Sequence, residues 1–516
     1  MQDTGLQMIG NRLSGEGSQT FRAWAPAQQE WLPQEFREAT AGETDAAVLL
    51  AAKAFPVYKK TTAAARAAFL RAIAASLEAL GEVLLQTASA ETGLPLPRLQ
   101  GERERTCNQL RLFATLIEEG SWINARIDRG TPDVRQMQIP LGPVAVFGAS
   151  NFPLAFSVAG GDTAAALAAG CPVVCKAHPA HPHTSHLAAT AIKQAAQETQ
   201  MPEGVFSLLQ GATIETGQAL ARHPQLRAIA FTGSFAGGKA LYETASRRPV
   251  PIPVYAEMGS VNPVFVLPGI LKENGEALAT QYLQSLTQGV GQFCTNPGVL
   301  ITTGNADSFK AALQRGMEAL SPGCMLTPGI LSAYQKGLQH LNTLGARALA
   351  KAPEAPGKAA AVLLQADLQQ VQDNPGMLHE VFGPAGLLVS AGNVAEMYAF
   401  AEQLEGQLTA TIHGTPADLE AHAGLIDILR EKAGRLLVNG FPTGVAVNHA
   451  MVHGGPWPAT TPAAGTSVGT GAIYRFTRPV CFQDFPEGLL PEQLRNENPQ
   501  NIWRLANGQW TRDALT

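Results

Sequence analysis

VAVFGAS, residues 144–150, opens the stretch of sequence that decides the fold. It is a short apolar run that ends in small residues, and a pattern typical of a small-residue helix follows it. The alternation of strand and helix patterns continues to residue 234 in the segments VAVFGAS, AFSVAGGDTAAALAAG, PVVCKA, TSHLAATAIKQAAQETQ, VFSLLQ, IETGQALARH and AIAFTGS. Repeated strand–helix units predict a parallel sheet, whose ligands bind beyond the carboxyl ends of the strands. Function is therefore expected in the loops that follow these strands.

The sequence on either side of this stretch also has helix and strand patterns. Before the stretch, residues 43–92 and 103–120 have apolar positions at helical spacing. After it, strand patterns at PVFVLP, GVLITTG, AGLLVS and RLLVNG alternate with helix patterns around 272–290, 308–320 and 394–404. The alanine- and proline-rich residues 352–361 have the composition of a flexible surface loop. Because 516 residues exceed what one hydrophobic core holds, the sequence predicts more than one lobe. The alternating strand and helix patterns on both sides of residue 263 predict an α/β protein with two Rossmann-type parallel-sheet lobes.

Composition narrows the class of partner. The formal net charge is −5 and no long run of Lys or Arg occurs, so we expect neither a nucleic-acid nor a membrane partner, but a small molecule. The first seventeen residues, MQDTGLQMIGNRLSGEG, contain neither a basic stretch nor an apolar one, which predicts a cytoplasmic protein. Six cysteines are too sparse for a disulfide framework and are expected to be free thiols.

Three polar residues stand where strand or helix patterns end. Cys294, in GVGQFCTNPG, places a thiol before a Pro–Gly turn, where it can act as a nucleophile. Glu257, in AEMGSVNP, follows an extended stretch and can serve as a base. Asn151, in FGASNFPL, can donate from its amide to an oxyanion. Taken singly, each has an ordinary alternative: a buried apolar cysteine, a surface glutamate and a turn asparagine.

Taken together, SNFPL, EMGSVNP and GQFCTNPG resemble the aldehyde dehydrogenase superfamily. The resemblance continues through VVCKAHPAHP, FTGSFAGGK, HEVFGP and VNGFP, and covers roughly residues 40–480. It implies that Cys294 is the nucleophile, that Glu257 is the base for thioester hydrolysis, and that Asn151 with the Cys294 backbone amide forms the oxyanion hole. The implied reaction oxidises an aldehyde to a carboxylate through a thiohemiacetal and a thioester, with NAD(P)⁺ as hydride acceptor.

A second set of residues is predicted to bind the cofactor. Gly233 and Gly238 lie five residues apart after a strand, and Ser234 stands as a helix cap, so that a phosphate can approach closely. The resemblance implies that Lys176 holds the adenosine ribose and that Glu380 holds the nicotinamide ribose, with Phe382 in the same HEVFGP segment. An ordinary turn, a solvated lysine and a helix-end glutamate are the alternatives.

The choice between NAD⁺ and NADP⁺ depends on the residues after Lys176. The carboxylate that usually follows this lysine by three residues in the family, and that repels a 2′-phosphate, is replaced by Pro179. No arginine occurs within residues 177–215 to bind that phosphate. The sequence permits both cofactors and favours NADP⁺ by a small margin.

A cluster of cysteines and histidines near Lys176 offers a competing zinc-site interpretation. We expect no metal there, because the cysteines flank an apolar strand, the histidines alternate with prolines, and the family loop at this place contacts adenosine. The cluster comprises Cys171, Cys175, His178, His181, His183 and His186.

Within the superfamily, the segments around Asn151 and Glu257 look most like the branch that contains α-ketoglutaric semialdehyde (2,5-dioxopentanoate) dehydrogenases and related long-chain aldehyde dehydrogenases. An acidic substrate needs a cation, which Arg105 or Arg111 on the predicted helix can supply, although both can equally be surface residues. His453, in MVHGGPWP, is a further candidate near the thiol, with a hydrogen-bonded structural histidine as the alternative.

Three other functions stay open at this stage. One is a medium- or long-chain aliphatic aldehyde dehydrogenase. Another is a CoA-acylating enzyme, against which Glu257 argues, because such enzymes lack the base. The third is a non-catalytic structural or binding relative, against which the presence of both Cys294 and Glu257 argues.

The resemblance also implies a domain organisation. Residues 1–124 and 144–263 are assigned to a dinucleotide-binding domain and residues 264–465 to a catalytic domain. Residues 125–143 and 466–516 are assigned to an oligomerisation arm and a C-terminal tail, from which we expect a homo-oligomer, first of all a dimer.

Overall fold

A computed structural model describes residues 5–303 and 306–515 of the chain. The strands in these residues are β1 (Gln7–Ile9), β2 (Arg12–Ser14), β3 (Thr20–Ala25), β4 (Glu30–Arg37), β5 (Ala125–Asp128), β6 (Val134–Pro140), β7 (Val144–Phe147), β8 (Val173–Lys176), β9 (Phe206–Leu209), β10 (Ala228–Thr232), β11 (Val254–Glu257), β12 (Val264–Val266), β13 (Val299–Thr303), β14 (Arg347–Lys351), β15 (Val362–Asp367), β16 (Ala385–Ala391), β17 (Gln407–His413), β18 (Ala433–Val438), β19 (Thr477–Gln483), β20 (Arg504–Ala506) and β21 (Gln509–Thr511). The α-helices are α1 (Ala41–Tyr58), α2 (Ala63–Ala79), α3 (Gly81–Thr92), α4 (Leu96–Glu119), α5 (Gly161–Ala169), α6 (Pro182–Glu198), α7 (Glu215–Arg222), α8 (Phe235–Ser246), α9 (Pro268–Thr287), α10 (Asp307–Glu318), α11 (Pro328–Thr343), α12 (Leu368–Asp373), α13 (Val394–Gln403), α14 (Pro416–Ala421) and α15 (Ala423–Lys432).

Two seven-stranded sheets organise the two lobes. The first has the order β11-β10-β7-β8-β9-β1-β2, with β7 to β11 parallel and the short β1 and β2 antiparallel at one edge. The second has the order β14-β15-β16-β13-β12-β17-β18, in which β14 pairs antiparallel and the other neighbours pair parallel. The prediction of an α/β fold with two parallel-sheet lobes is confirmed.

The stretch that begins at VAVFGAS forms the centre of the first sheet. All four residues of β7 are buried, because helices cover both faces of the sheet. Helix α5 follows it and is built almost wholly from small residues, every one of them buried. These small side chains let the helix lie close to the sheet. The helix ends at Gly170, which has a left-handed φ of 95°.

The strand order determines where a ligand can bind. From β7 the chain continues to β8 and β9 on one side of the sheet and later returns to β10 and β11 on the other. The loops after β7 and β10 therefore diverge and leave a crevice at the carboxyl ends of the strands, which is the usual ligand position in such sheets.

A third sheet joins the predicted arm to the carboxyl-terminal part of the chain. Its order is β19-β6-β5-β20-β21, so residues 125–143 do form extended strands. The carboxyl-terminal segment assigned to the arm and tail does not begin as a strand, because Thr470–Phe476 is a 3-10 helix. The helix buries three side chains fully in the first lobe, those of Ala472, Ile473 and Phe476. Strand β19 therefore begins only at Thr477. The last part of the chain, expected as a tail, supplies β20 and β21 to this sheet.

The hairpin of β3 and β4 precedes every predicted element. It forms a separate two-stranded sheet and faces the second lobe, where the side chain of Gln29 donates to the carbonyl of Pro356 at 3.5 Å. Residues 352–361, predicted as a flexible surface loop, do connect β14 with β15 without helix or strand, but Ala352 and the three alanines at 359–361 are buried, so the loop is only partly at the surface. Within the part of the chain that the structure describes, no helix has the length and apolar character needed to cross a bilayer.

Candidate active site

A cleft of about 1520 Å³ lies between the two lobes. The first lobe lines it with the loops that follow β7, β8, β10 and β11, and the second lobe contributes Cys294 and residues 378–382. The cleft therefore opens at the carboxyl ends of the first sheet, where the strand order predicts a ligand.

Cys294 lies on a tightly constrained loop between the 3-10 helix Gln288–Gly291 and β13. Gly291 has a φ of 65°, and a Cβ there would lie 2.3 Å from the carbonyl group of Gly383, so only glycine fits. The Asn262 side chain holds this loop by donating to the backbone carbonyl of Cys294 at 2.9 Å. Removal from water raises the pKa of the Cys294 thiol well above its usual value, and the charge of Glu257 adds to this rise.

Glu257 ends β11 and is buried. Its Oε2 accepts a hydrogen bond from Ser467 Oγ at 2.5 Å, and its Oε1 lies 2.8 Å from His453 Nε2. Burial acts to raise the pKa of Glu257, but the nearby imidazole and the hydrogen bonds outweigh it and hold that pKa below its usual value. The carboxyl is thus an ionised group in the neutral pH range.

His453 connects the predicted nucleophile and the predicted base. Its Nε2 lies 3.4 Å from Cys294 Sγ in hydrogen-bond geometry, while Glu257 Oε1 is closer but off the hydrogen-bond direction. Its backbone N–H donates to Thr466 Oγ1 at 2.9 Å, and its carbonyl accepts from the N–H of Ser467 at 2.8 Å. The two sequence-based alternatives for His453 therefore coexist, since a firmly held, buried histidine also contacts the thiol.

Asn151 lies on the loop after β7 and is buried. Its Nδ2 donates to the carbonyl of Gln292 at 2.9 Å, two residues before Cys294. The backbone carbonyl of Asn151 accepts from Arg98 at 2.9 Å, and the Arg98 guanidinium lies over the rings of Phe152 and Phe293. The amide is thus held against the loop that carries the thiol.

The loop after β10 has the features of a dinucleotide cradle. Ser234 caps the twelve-residue helix α8, with its Oγ accepting from the N–H of Gly237 at 3.2 Å. A Cβ on Gly233 would lie 2.6 Å from the Phe231 ring, and one on Gly238 would lie 2.7 Å from Met258. The glycines therefore keep the helix N-terminus close to the sheet with its N–H groups at the cleft, an arrangement that fits a pyrophosphate.

The remaining predicted cofactor residues, Lys176, Glu380 and Phe382, line the same cleft. Lys176 Nζ donates to the carbonyl of Gly211 at 2.5 Å, and burial lowers its pKa to about 8. Glu380 faces the cleft, and its Oε2 lies close to Gly259. Desolvation by the surrounding protein raises the pKa of its carboxyl to about 7.

The two candidate arginines of α4 have different surroundings. Arg111 forms a two-point ion pair with Glu78, at 2.8 and 2.6 Å, on the exposed side of the helix. Its prediction as a substrate ligand is therefore wrong. Arg105 lies over the Phe156 ring at 4.9 Å, and that ring is 6.0 Å from the imidazole of His453.

The Arg105 guanidinium is incompletely paired. Its Nε donates to the carbonyl of Val445 at 3.4 Å, but among the described residues its buried Nη1 and Nη2 have no hydrogen-bond partner. Burial lowers its pKa, while the charges of Glu102, Cys294 and Glu257 act in the opposite direction. Both terminal nitrogens of a cation near the thiol are thus left without a hydrogen-bond acceptor.

Several residues of the site were missed by the sequence analysis. Arg22, Trp24 and Trp31 of the β3–β4 hairpin line the cleft, and Ser467 contacts Glu257. Alternating runs on either side of residues 26–29 are a recognisable hairpin pattern. No local pattern, however, indicates that this hairpin reaches the cleft or that Ser467 reaches Glu257.

The Cys/His cluster of residues 171–186 is engaged in protein contacts. Cys171 donates to the carbonyl of Phe476 at 3.3 Å, and His181 Nε2 lies 2.8 Å from the carbonyl of Ala149. Over residues 5–303 and 306–515, the one group of three His, Cys or acidic side chains with ligand-like spacing is Glu257, Cys294 and His453.

Comparison with known proteins shows the family of the chain. The family described as "Aldehyde dehydrogenase family" matches residues 13–456. The chain is 49% identical to "Alpha-ketoglutaric semialdehyde dehydrogenase 2" of Azospirillum brasilense over 99% of this chain and 100% of that one. It is 46% identical to "Alpha-ketoglutaric semialdehyde dehydrogenase" of Acinetobacter baylyi, with the same coverage of both chains.

Solved structures share the fold at lower identity. A betaine aldehyde dehydrogenase point mutant from Staphylococcus aureus, in complex with NAD⁺, has a TM-score of 0.82 at 19% identity, covering 95% of this chain and 98% of that one. An NADP-dependent enzyme from E. coli has a TM-score of 0.79 at 22% identity, covering 93% of this chain and 98% of that one.

Proposed function

The chain belongs to the aldehyde dehydrogenase family and is an NAD(P)-dependent enzyme of aldehyde oxidation, and from that premise we propose that its substrate is α-ketoglutaric semialdehyde. The single observation that carries this proposal is the pair of unpartnered, buried Arg105 Nη atoms near the thiol cluster of Cys294, His453 and Glu257. The substrate named for both relatives carries a carboxylate at the end opposite its aldehyde.

Buried Nη atoms without a hydrogen-bond partner destabilise the folded protein, and a substrate carboxylate can accept hydrogen bonds from them. The two Nη donors form the planar fork that a carboxylate accepts in two parallel hydrogen bonds. Phe156 contacts both Arg105 and His453, and His453 contacts Cys294, so a carboxylate bound to Arg105 would hold the rest of the molecule near the thiol.

In the proposed mechanism, Cys294 Sγ attacks the aldehyde carbon, and its proton passes to His453 Nε2. The raised pKa of the thiol makes such an acceptor necessary, and His453 Nε2 is in hydrogen-bond contact with Sγ. The oxyanion that forms is stabilised by Asn151 Nδ2 and the backbone N–H of Cys294. The bound dinucleotide supplies the hydride acceptor of the reaction.

Hydrolysis of the resulting thioester is assigned to Glu257. Its ionised carboxylate can accept a proton from a water molecule that attacks the thioester carbon, and Ser467 fixes its orientation through the 2.5 Å hydrogen bond. This step releases the carboxylic acid and returns Cys294 to its starting state.

We propose NADP⁺ as the preferred cofactor, with Lys176, Gly233, Ser234, Gly238, Glu380 and Phe382 as its binding residues. Pro179 removes the carboxylate that repels a 2′-phosphate. Arg22 supports this preference, since it lines the same cleft as Lys176. Its ion pair with Glu35 is half exposed and of the kind that contributes little, so the guanidinium can turn to a phosphate.

The substrate proposal is tested by comparing Arg105→Ala with the matched control Arg111→Ala from the same helix. Initial rates of NAD(P)H formation are measured with α-ketoglutaric semialdehyde and with hexanal, each with NAD⁺ and NADP⁺. Loss of a charged hydrogen bond of about 1.5–3 kcal/mol predicts that Arg105→Ala lowers kcat/KM for the acidic aldehyde about 10–150-fold. Hexanal oxidation stays within about twofold, since it has no carboxylate to lose, and Arg111→Ala changes neither rate.

Equal losses with both aldehydes in Arg105→Ala would contradict the role of Arg105. A wild-type enzyme faster with hexanal than with α-ketoglutaric semialdehyde would support the aliphatic alternative. The same four rates measure the cofactor preference, and comparable kcat/KM values for NAD⁺ and NADP⁺ would overturn the choice of NADP⁺.

We further propose that the chain forms a dimer through its third sheet. In that sheet β19 and β21 are edge strands, and an edge strand offers unpaired backbone groups to another chain. Light scattering on a size-exclusion column is expected to give the mass of two chains, and a compact monomer would contradict the proposal.

A further inference from the structure

The thiol cluster places three different metal-ligand atoms side by side. Cys294 Sγ, His453 Nε2 and Glu257 Oε1 all lie within 4.8 Å of one another. Nε2 is 3.4 Å from Sγ and 2.8 Å from Oε1. Sulfur, imidazole nitrogen and carboxylate oxygen are the three ligand types that Zn²⁺ accepts in proteins.

Two of the three ligand separations are close to those around a tetrahedral ion. With Zn–S near 2.3 Å and Zn–N and Zn–O near 2.0–2.2 Å, two ligands of one tetrahedral ion lie about 3.3–3.6 Å apart. The separation of Nε2 and Sγ is already in that range, and Nε2 and Oε1 need to move apart by about 0.5 Å. Oε1 accepts no hydrogen bond among the described residues, although Glu257 is buried.

The surrounding contacts orient these ligands. Ser467 Oγ holds the other carboxylate oxygen of Glu257, and the backbone of His453 is fixed on both sides by residues 466 and 467. Such outer contacts are what keep metal ligands in place. Cys294 and Glu257 line the cleft, so a fourth coordination position faces water or the carboxylate of a bound acid.

We propose that Zn²⁺ binds reversibly to Cys294, His453 and Glu257 and thereby inhibits the enzyme. One Zn–S bond forms while the thiol S–H bond breaks, one proton goes to solvent, and no group is oxidised or reduced. The ion is an inhibitor and not a resident cofactor, because it occupies the sulfur that the proposed mechanism uses as nucleophile. Hard cations such as Mg²⁺ prefer oxygen ligands and are excluded by this set.

Binding is measured directly, on untagged full-length protein, by titration calorimetry with Zn²⁺ and by the absorption spectrum of the Co²⁺-loaded protein. Wild type is expected to bind one ion per chain, to release a proton seen as a buffer-dependent enthalpy, and to show a thiolate-to-cobalt charge-transfer band. His453→Asn and Cys294→Ala are expected to bind at least about 10–100-fold more weakly, since even outer contacts contribute that much. Cys481→Ser, at an exposed cysteine outside the cluster, is the matched control and keeps wild-type affinity.

Inhibition provides the second readout. Zn²⁺ should abolish wild-type and Cys481→Ser activity, a chelator should restore it, and Mg²⁺ should have no effect. A thermal shift with Zn²⁺ in wild type but not in the well-folded His453→Asn protein keeps the test valid where activity is lost. Unchanged Zn²⁺ affinity in His453→Asn, or inhibition lost in Cys481→Ser, would overturn the proposal. Inactivity of metal-free wild type with every aldehyde would instead refute the proposed function, which leaves the binding result to stand on its own.

Discussion

The thiol cluster and the cofactor cleft share one opening but are built in opposite ways. In the cluster, Cys294, Glu257 and His453 contact one another, and the last two are buried. The cleft is wide, and its cradle depends on backbone N–H groups and on glycines that keep side chains out of the way. A substitution in the cluster is therefore expected to change the chemistry, and one in the cleft to change affinity or stability.

The largest effect is expected from Cys294→Ala in the cluster. Without the sulfur no covalent intermediate forms, so the rate of NAD(P)H formation should fall by at least about 10³-fold. Cofactor affinity, measured by tryptophan fluorescence, should stay unchanged because the cleft is intact. A variant with more than a tenth of wild-type activity would show that another group is the nucleophile.

Glu257→Gln separates two steps within the cluster. The amide keeps the shape but cannot take a proton, so thioester hydrolysis should slow by about 10²–10⁴-fold. A rapid-mixing experiment should still show a burst of one NAD(P)H per active site before the slow phase. Loss of the burst together with the steady state would mean that Glu257 is also needed to deprotonate the thiol.

In the cleft, Gly238→Ala should act mainly on stability. The added Cβ would lie 2.7 Å from the buried Met258, and such overpacking costs about 1–3 kcal/mol in the free energy of unfolding by urea. Gly101→Ala in α4 is the matched control, because an added Cβ there meets nothing within 4 Å and should stabilise the helix by about 0.5–1 kcal/mol. Equal effects of the two substitutions would contradict the close helix–sheet contact.

The smallest expected effect is a pH dependence carried by Glu380. Its pKa of about 7 is above its usual value of 4.5, so the folded cofactor-free enzyme holds this proton more tightly than the unfolded chain and loses stability as the pH rises from 4.5 to 7. Ribose hydroxyls donate to the ionised form, so the KM for the cofactor should fall several-fold between about pH 6 and pH 8 and then level off. Glu380→Gln should have a flat profile, and a wild-type KM that rises over this range would refute the assignment.

The contrast between cluster and cleft also explains what the sequence could predict. The cradle lies within one continuous segment, FTGSFAGGK, and its strand, turn and helix cap are local patterns. Both parallel sheets were predictable for the same reason. Cys294 and Glu257 were found through their motifs, and His453 was named as a further candidate near the thiol. Its segment has no periodicity, however, so its contacts with Cys294 and Glu257 are seen only in the folded chain.

Burial was the property least accessible from sequence. Arg105 and Arg111 are six residues apart on one helix, and nothing local distinguishes the guanidinium beside Phe156 from the one paired with Glu78. Arg22 of the hairpin lies 154 residues before Lys176 in the chain, yet both line one cleft. Such long-range contacts depend on how the lobes and the hairpin assemble, which short patterns do not describe.

Gly291 and Gly383 touch closely enough that a single methyl group would not fit between them, and the Asn296 side chain also donates to the carbonyl of Gly383 at 3.0 Å. The loop that carries the sulfur and the loop that carries Glu380 and Phe382 are consequently fastened together. We expect them to move as one body, so that any displacement of Glu380 and Phe382 when the dinucleotide leaves also displaces Cys294 Sγ. The rate at which the reduced dinucleotide leaves and the rate at which the acid is then released would both depend on this contact between Gly291 and Gly383.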